Sequence, residues 1–211
     1  TDDNGSPTDK ATLILDSNTS VRDLTVHNTG SGGQTRVGIL VPSRRSDVRI
    51  ANVSVSNEGV ATSSVAVWLA GSATLENVTA TAFGGTGANT ALILKDYITN
   101  PTIPLEVHLQ GGTYTASGVN AIGININDAN SRMVIDNARV VATDALYSDG
   151  WIEVYHSRLE APTHVVVNTQ SGQPQRVLIK HSDFVGTGTV FNTITCVAVS
   201  RGAAFGATTC P

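Results

Sequence analysis

Charge, aromatic rings and sulfur are all scarce in this chain of 211 residues. Asp, Glu, Lys and Arg make up 14% of it, against roughly 25% in an ordinary globular domain. Coiled coils and helix bundles, whose surfaces are built from Glu, Lys and Arg, are excluded on that ground. No apolar run approaches the ~20 residues of a membrane-spanning helix. The longest basic cluster is Arg44-Arg45 and the net charge is −4, so the electrostatic footprint of a nucleic-acid binder is missing. What is present is 40% hydrophobic residues, too many for a disordered chain, in a length that suits one domain with a core. Gly, Ser, Thr, Asn, Val and Ala dominate.

Two cysteines, Cys196 and Cys210, stand close to the C-terminus. No His lies between or beside them, and their separation is not a zinc-ligand spacing. A disulfide that clips the terminus is the better reading, worth about 3 kcal/mol in the chain-entropy model. Such a bond implies an oxidising, extracellular or cell-surface location. No signal peptide is visible, and the first ten residues form a polar leader.

The sequence repeats itself loosely. Seven segments align, beginning at Val21, Ile50, Leu75, Leu109, Ile135, Val154 and Ile179; examples are Ile50-Ala-Asn-Val-Ser-Val55 and Ile135-Asp-Asn-Ala-Arg-Val140. Each starts apolar, continues polar, and returns to apolar or small residues at its fourth and sixth positions, as two short strands meeting at a corner would. The third position reads Asp23, Asn52, Asn77, Gly111, Asn137, His156 and His181. These four residue types tolerate the left-handed region best, and a positive φ bends the chain sharply without disturbing the alternation of side chains. Stacked at the strand spacing of about 4.8 Å, Asn52 and Asn77 could hydrogen-bond along the axis.

A further apolar block follows each corner after a variable loop, as in Val37-Gly-Ile-Leu-Val41 and Val65-Ala-Val-Trp-Leu69. A mean period of about 26 residues matches three strands and three turns per coil. The expected fold is all-β: a single-stranded, right-handed parallel β-helix, a solenoid of about seven coils. Residues 1–10 are the leader, 11–195 the solenoid and 196–211 the disulfide-closed cap. The core is expected to be Val, Ile, Leu and Ala with Tyr114, Phe184 and Phe191.

The phrases Leu75-Glu-Asn-Val-Thr-Ala80, Val154-Tyr-His-Ser-Arg-Leu159, Thr195-Cys-Val-Ala-Val-Ser200 and the final Thr209-Cys-Pro211 resemble the right-handed parallel β-helix repeat proteins of the pectate-lyase-like superfamily. More narrowly, they resemble uncharacterised secreted bacterial β-helix proteins that close with a Cys-Val-x-Val/Tyr segment and a last Cys. Ser200-Arg201 departs from that closing motif, where an acidic residue and an aromatic are usual. The superfamily includes polysaccharide lyases and hydrolases, esterases, phage tailspikes and adhesins, so the resemblance implies a fold and leaves the activity open. The Asn-Thr-Asp, Asp-Asp and Gly-His-Gly combinations of polygalacturonases are missing.

Sugar cleavage needs paired carboxylates, or calcium-binding acids beside an arginine base. One ionisable cluster qualifies for consideration: Asp136, Arg139, Glu153, Tyr155, Arg158 and Asp183, with Lys180 nearby. Cross-strand pairing of exposed charges produces the same alternation. His156 and His181 fall in the corner column and read as conformational substitutes for Asn. His108 is expected outward on a strand, and His27 and His164 lack a Cys, His or carboxylate companion at ligand spacing, so neither a metal nor a cofactor is expected.

Trp151, after Ser148-Asp-Gly, reads as a turn residue able to stack on a sugar ring; Trp68 faces outward or lies under a loop. Three N-glycosylation sequons begin at Asn18, Asn52 and Asn77, two of them in the corner column, and read as incidental. Ranks of Thr for ice binding are not evident. The expected function is a secreted, non-enzymatic structural or adhesive module of an extracellular fibre or surface assembly. Its N-terminal coil would self-associate or meet an upstream domain. A polysaccharide-active enzyme and a carbohydrate-binding module are the alternatives.

Overall fold

The computed structural model describes residues 11–97, 104–169, 177–192, 194–201, 204–206 and 210. The expected leader, residues 1–10, lies outside them. Every regular element among the described residues is a strand. A coil passes through three of them: Thr35–Val41 in sheet A, Val48–Ala51 in sheet B and Ser54–Asn57 in sheet C, before Ser63–Leu69 starts the next coil in sheet A. Among the described residues, sheets A and B contain eight strands each and sheet C nine, in coil order. Neighbours pair in parallel, except that the last strand, Ala204–Gly206, runs antiparallel to Val199–Arg201. The protein is therefore a parallel β-helix whose last described strand turns back on it.

All seven residues of the corner column have positive φ, from 47° at His156 to 71° at Gly111. An eighth corner is Ala198, φ 52°, a residue type that gives no sign of left-handed backbone in sequence. Each corner joins a strand of sheet B to one of sheet C. In the first three coils its side chains also bond axially: the Asn52 amide donates to Asp23 Oδ1 at 3.0 Å and the Asn77 amide to Asn52 Oδ1 at 3.3 Å.

Inside, matched registers stack like on like. Ile50, Leu75, Leu109, Ile135, Val154, Ile179 and Cys196 form one column in sheet B. Val26, Val55, Ala80, Tyr114, Val140, Leu159 and Phe184 form another in sheet C. Nearly all are fully buried, each large aliphatic contributing about 1.5–3 kcal/mol. Small Ala80 beside Tyr114 leaves room for the ring, and burial pushes the Tyr114 hydroxyl pKa up. Where sheet A approaches sheet C, Gly38 and Gly123 are obligatory, since a Cβ there would meet Val55 Cγ1 at 2.5 Å and Val140 Cγ1 at 2.3 Å.

Sheet A corrects one expectation. Leu40, Trp68, Ile93, Asn125, Tyr147, Val167 and Phe191 are in register on its outer side, so Phe191 is 51% exposed rather than part of the core. Val37, Leu40, Val65 and Ile93 form a second apolar cluster on this side, with Ala11, Trp68 and Tyr97 packed against it. Trp68 is half-buried and its indole donates to the Lys95 carbonyl at 2.9 Å, which places it under a loop. At the C-terminus Cys196 and Cys210 are disulfide-bonded, with Cα atoms 5.2 Å apart, as an oxidising environment permits.

Candidate functional site

Coils five to seven carry the ionisable cluster along the corner between sheets B and C. Coil five contributes Arg132–Asp136 and Arg139–Val141, coil six Trp151–Tyr155 and Arg158–Glu160, and coil seven Val177–Lys180 and Asp183–Val185. Alternation turns Asp136, Tyr155 and Lys180 outward in one row of sheet B, and Arg139, Arg158 and Asp183 outward in one row of sheet C. The cluster named in sequence is thus two rows on either side of a bend, with Glu153 outward two residues before Tyr155, in register with Val134 and Leu178.

Each carboxylate in it is engaged. Glu153 accepts from the Tyr155 hydroxyl at 2.6 Å and from Arg132 at 2.5 Å. Glu160 accepts Nε of both Arg139 and Arg158, at 2.6 and 2.8 Å. Asp136 meets His156 Nδ1 at 2.9 Å, and Asp183 accepts from the Ser200 hydroxyl. The Tyr155 hydrogen bond, helped by Arg132, holds Glu153 below its ordinary pKa, and Arg139 and then Arg158 do the same for Glu160. Reciprocally, Glu153 raises the pKa of Tyr155. Burial raises Asp149, which stands apart at a turn before sheet B.

Arg132 and Glu160 were absent from the sequence cluster although they anchor it. Register alone does not pair them, because both ion pairs are diagonal: Arg132 stands opposite Trp151 and Glu160 opposite Val141, each carboxylate lying 21 residues beyond its arginine.

The histidines also differ from expectation. His156 and His181 do hold the left-handed corner, but their rings stack at 5.5 Å with 10° between planes and line a groove of about 340 Å³ with Asn137, Arg139, Arg158 and Asp183. His27 and His164 have carboxylate companions after all, Glu58 at 2.7 Å and Asp144 at 2.8 Å, supplied by the neighbouring coil. His108 is exposed on its strand. Trp151 opens a strand of sheet B instead of sitting in a turn; it is 42% exposed, beside Arg132 in register.

A second groove, about 530 Å³ and apolar, runs along the bend between sheets C and A past Ala116, Val141, Ala161, Pro162 and Val185. Among the described residues no group of three or more His, Cys, Asp or Glu could hold a metal ion, and no helix is long and apolar enough to cross a membrane. No family model matches the chain, and comparisons with curated proteins and with solved structures return no match.

Proposed function

We propose that this protein is a secreted, non-enzymatic β-helix that serves as a structural or adhesive module of an extracellular fibre or surface assembly. The observation that carries the reading is the engagement of every carboxylate in the ionisable cluster. A glycosidase needs one carboxyl that holds a proton near neutral pH and a second that is free to attack or to activate water. Glu153 and Glu160 are held in the opposite direction, below their ordinary values. Open sheet edges support the assembly half of the proposal. The strands Ala11–Ile14, Ser20–Arg22 and Thr25–Asn28 stand first in their sheets, and no described strand pairs on their outer side. Unpaired edges of this kind recruit a second copy or an upstream domain. The disulfide supports an oxidising, extracellular setting, and the resemblance to secreted β-helix proteins agrees with it.

Sheet B favours carbohydrate contact as a second reading. Trp151 and Tyr155 lie on its outer face with Glu153 between them, a flat mixture of rings and hydrogen-bonding groups. The test takes the intact protein, incubates it with neutral and acidic polysaccharides, measures reducing ends and unsaturated products, and sediments the same preparation over a concentration series. No turnover, with sedimentation that rises with concentration, is the expected result. Turnover that drops at least about tenfold in Glu153→Gln or Arg158→Ala replaces the proposal with the enzymatic alternative. A monomer at every concentration removes self-association.

A further inference from the structure

A solenoid supplies its own control, because every coil repeats the same backbone position. The corner of coils one to three shows what the fold requires there: Asp23, Asn52 and Asn77 hold positive φ and bond to one another. The first outward position after the corner, in coils one to four, is satisfied by Thr25, Ser54, Thr79 and Thr113. In coils five to seven the same two columns change to Asn137, His156, His181 and to Arg139, Arg158, Asp183. Neither imidazole nor guanidinium is needed for the bend, since Asn and Thr make it a few coils earlier. Two arginines directly opposite each other on adjacent strands are unfavourable for the sheet, and one carboxylate, Glu160, has to serve both.

The changed columns both line the groove and leave unused hydrogen-bonding edges in it. Arg158 spends only Nε on Glu160, and its terminal nitrogens make no hydrogen bond to the described residues. His156 uses Nδ1 on Asp136 and keeps Nε2. The His181 ring is stacked on His156, and neither it nor the Asn137 side-chain amide makes a hydrogen bond to the described residues. Asp183 adds a carboxylate acceptor on the same wall. Gly112 lines the groove as well, and the Asn77 side chain closes in at Gly111 one coil below.

The two guanidinium groups of the groove share Glu160, and Asp183 in its lining and Asp136 beside His156 add further carboxylates, so its positive charge is offset. Donors and acceptors mixed in this way, with positive charge offset and rings at the edge, match the hydroxyl groups of an uncharged sugar rather than a polyanion. We infer that the corner groove of coils five to seven is a binding site for a neutral glycan, laid along the solenoid axis with its hydroxyls shared between the His156–His181 wall and the Arg158–Asp183 wall. The inference rests on the adhesive reading and locates its ligand away from Trp151.

The fold prescribes the variants. Converting the second half to the residues of the first, with His156→Asn and His181→Asn in one protein and Arg158→Thr with Asp183→Ser in another, leaves the backbone corner satisfied. The probes are immobilised neutral oligosaccharides (gluco-, xylo- and galacto-oligomers) and oligogalacturonate, with circular dichroism and thermal melting as controls on folding. Binding of the wild type to a neutral oligomer, weakened at least about tenfold in both folded variants, is the expected result. Three outcomes overturn the inference: a folded wild type that binds none of the neutral oligomers, binding confined to oligogalacturonate, or binding retained in both variants and lost in Trp151→Ala. The first of these leaves the structural reading intact if the same protein self-associates, whereas glycan binding by a strictly monomeric protein separates the groove from the fibre.

Discussion

At the corner of coils one to three, the side chains of Asp23, Asn52 and Asn77 bond to one another from coil to coil; at the corner of coils five to seven, Asn137, His156 and His181 keep the same left-handed backbone, and His156 bonds Asp136 of the preceding coil instead of its corner residue. The second stretch replaces the amide ladder by a stacked imidazole pair, and neutral Thr and Ser beside it by Arg and Asp. Identical geometry with different side chains separates what the bend demands from what it merely permits. It demands residues that tolerate positive φ. The corner-to-corner amide ladder is an addition found in one half, and the polar groove is the corresponding addition in the other.

The joint between the halves is the place to break this comparison with the largest effect. Gly112 has φ 95°, and a Cβ on it would lie 2.2 Å from the Val78 carbonyl oxygen. Gly112→Ala combines a left-handed penalty with overpacking against backbone, and is expected to cost about 3 kcal/mol or more in chemical denaturation. A loss below about 1 kcal/mol would mean that the coils slide freely at this level.

Replacing amides by glycine sharpens the contrast at smaller cost, because glycine accepts the backbone without strain. Asn77→Gly forfeits its ladder bond and is expected to lose about 1 kcal/mol, while Asn137→Gly, whose side chain bonds none of the described residues, stays within about 0.5 kcal/mol of the wild type. Equal losses at the two positions, measured as shifts in denaturant midpoint, would show that the ladder adds nothing to stability.

Acid gives the smallest effect. Glu153 and Glu160 are held below their ordinary pKa in the fold, so their contribution is present above the unfolded carboxylate value and is lost as pH falls through the lowered folded values. Each arginine pair is half exposed, so the loss is less than about 1 kcal/mol per pair. Hydrogen exchange should quicken in Trp151–Tyr155 and Arg158–Glu160 on lowering the pH from about 5 to about 3. In the first half Glu58, lowered by its bond to His27, predicts a parallel change confined to Ser54–Asn57. Acid sensitivity spread evenly over all coils would contradict this assignment.

The fold was legible because its signal is local. A residue tolerant of positive φ between two alternating strands identifies a corner within six positions, whatever happens in the loops, and only Ala198 escaped because its side chain carries no such preference. The candidate site was half legible. Asp136, Arg139, Glu153, Tyr155, Arg158 and Asp183 could be collected as outward residues of neighbouring coils, yet Arg132 and Glu160, which anchor them, could not.

Corner spacings in the sequence vary between 19 and 34 residues, so the partner of a given outward residue depends on how much chain each loop absorbs. The carboxylates beside His27 and His164 were hidden for that reason, since Glu58 and Asp144 lie 31 and 20 residues away. Trp151 was misplaced because Ser-Asp-Gly before it is a strong turn signal, and the strand begins one residue after the turn.

What the sequence by itself determined is the architecture: strand length, corner position and the small or β-branched column residues are dictated by steric limits on φ and by side-chain period, both local properties. Tertiary structure alone decided which side chains meet. The outward face of sheet A became a second apolar cluster under a loop, Phe191 was left in solvent, and two histidines chosen for their backbone came to stack beside two arginines. Those outcomes depend on register between coils, which is set by core packing and loop length together over the whole solenoid.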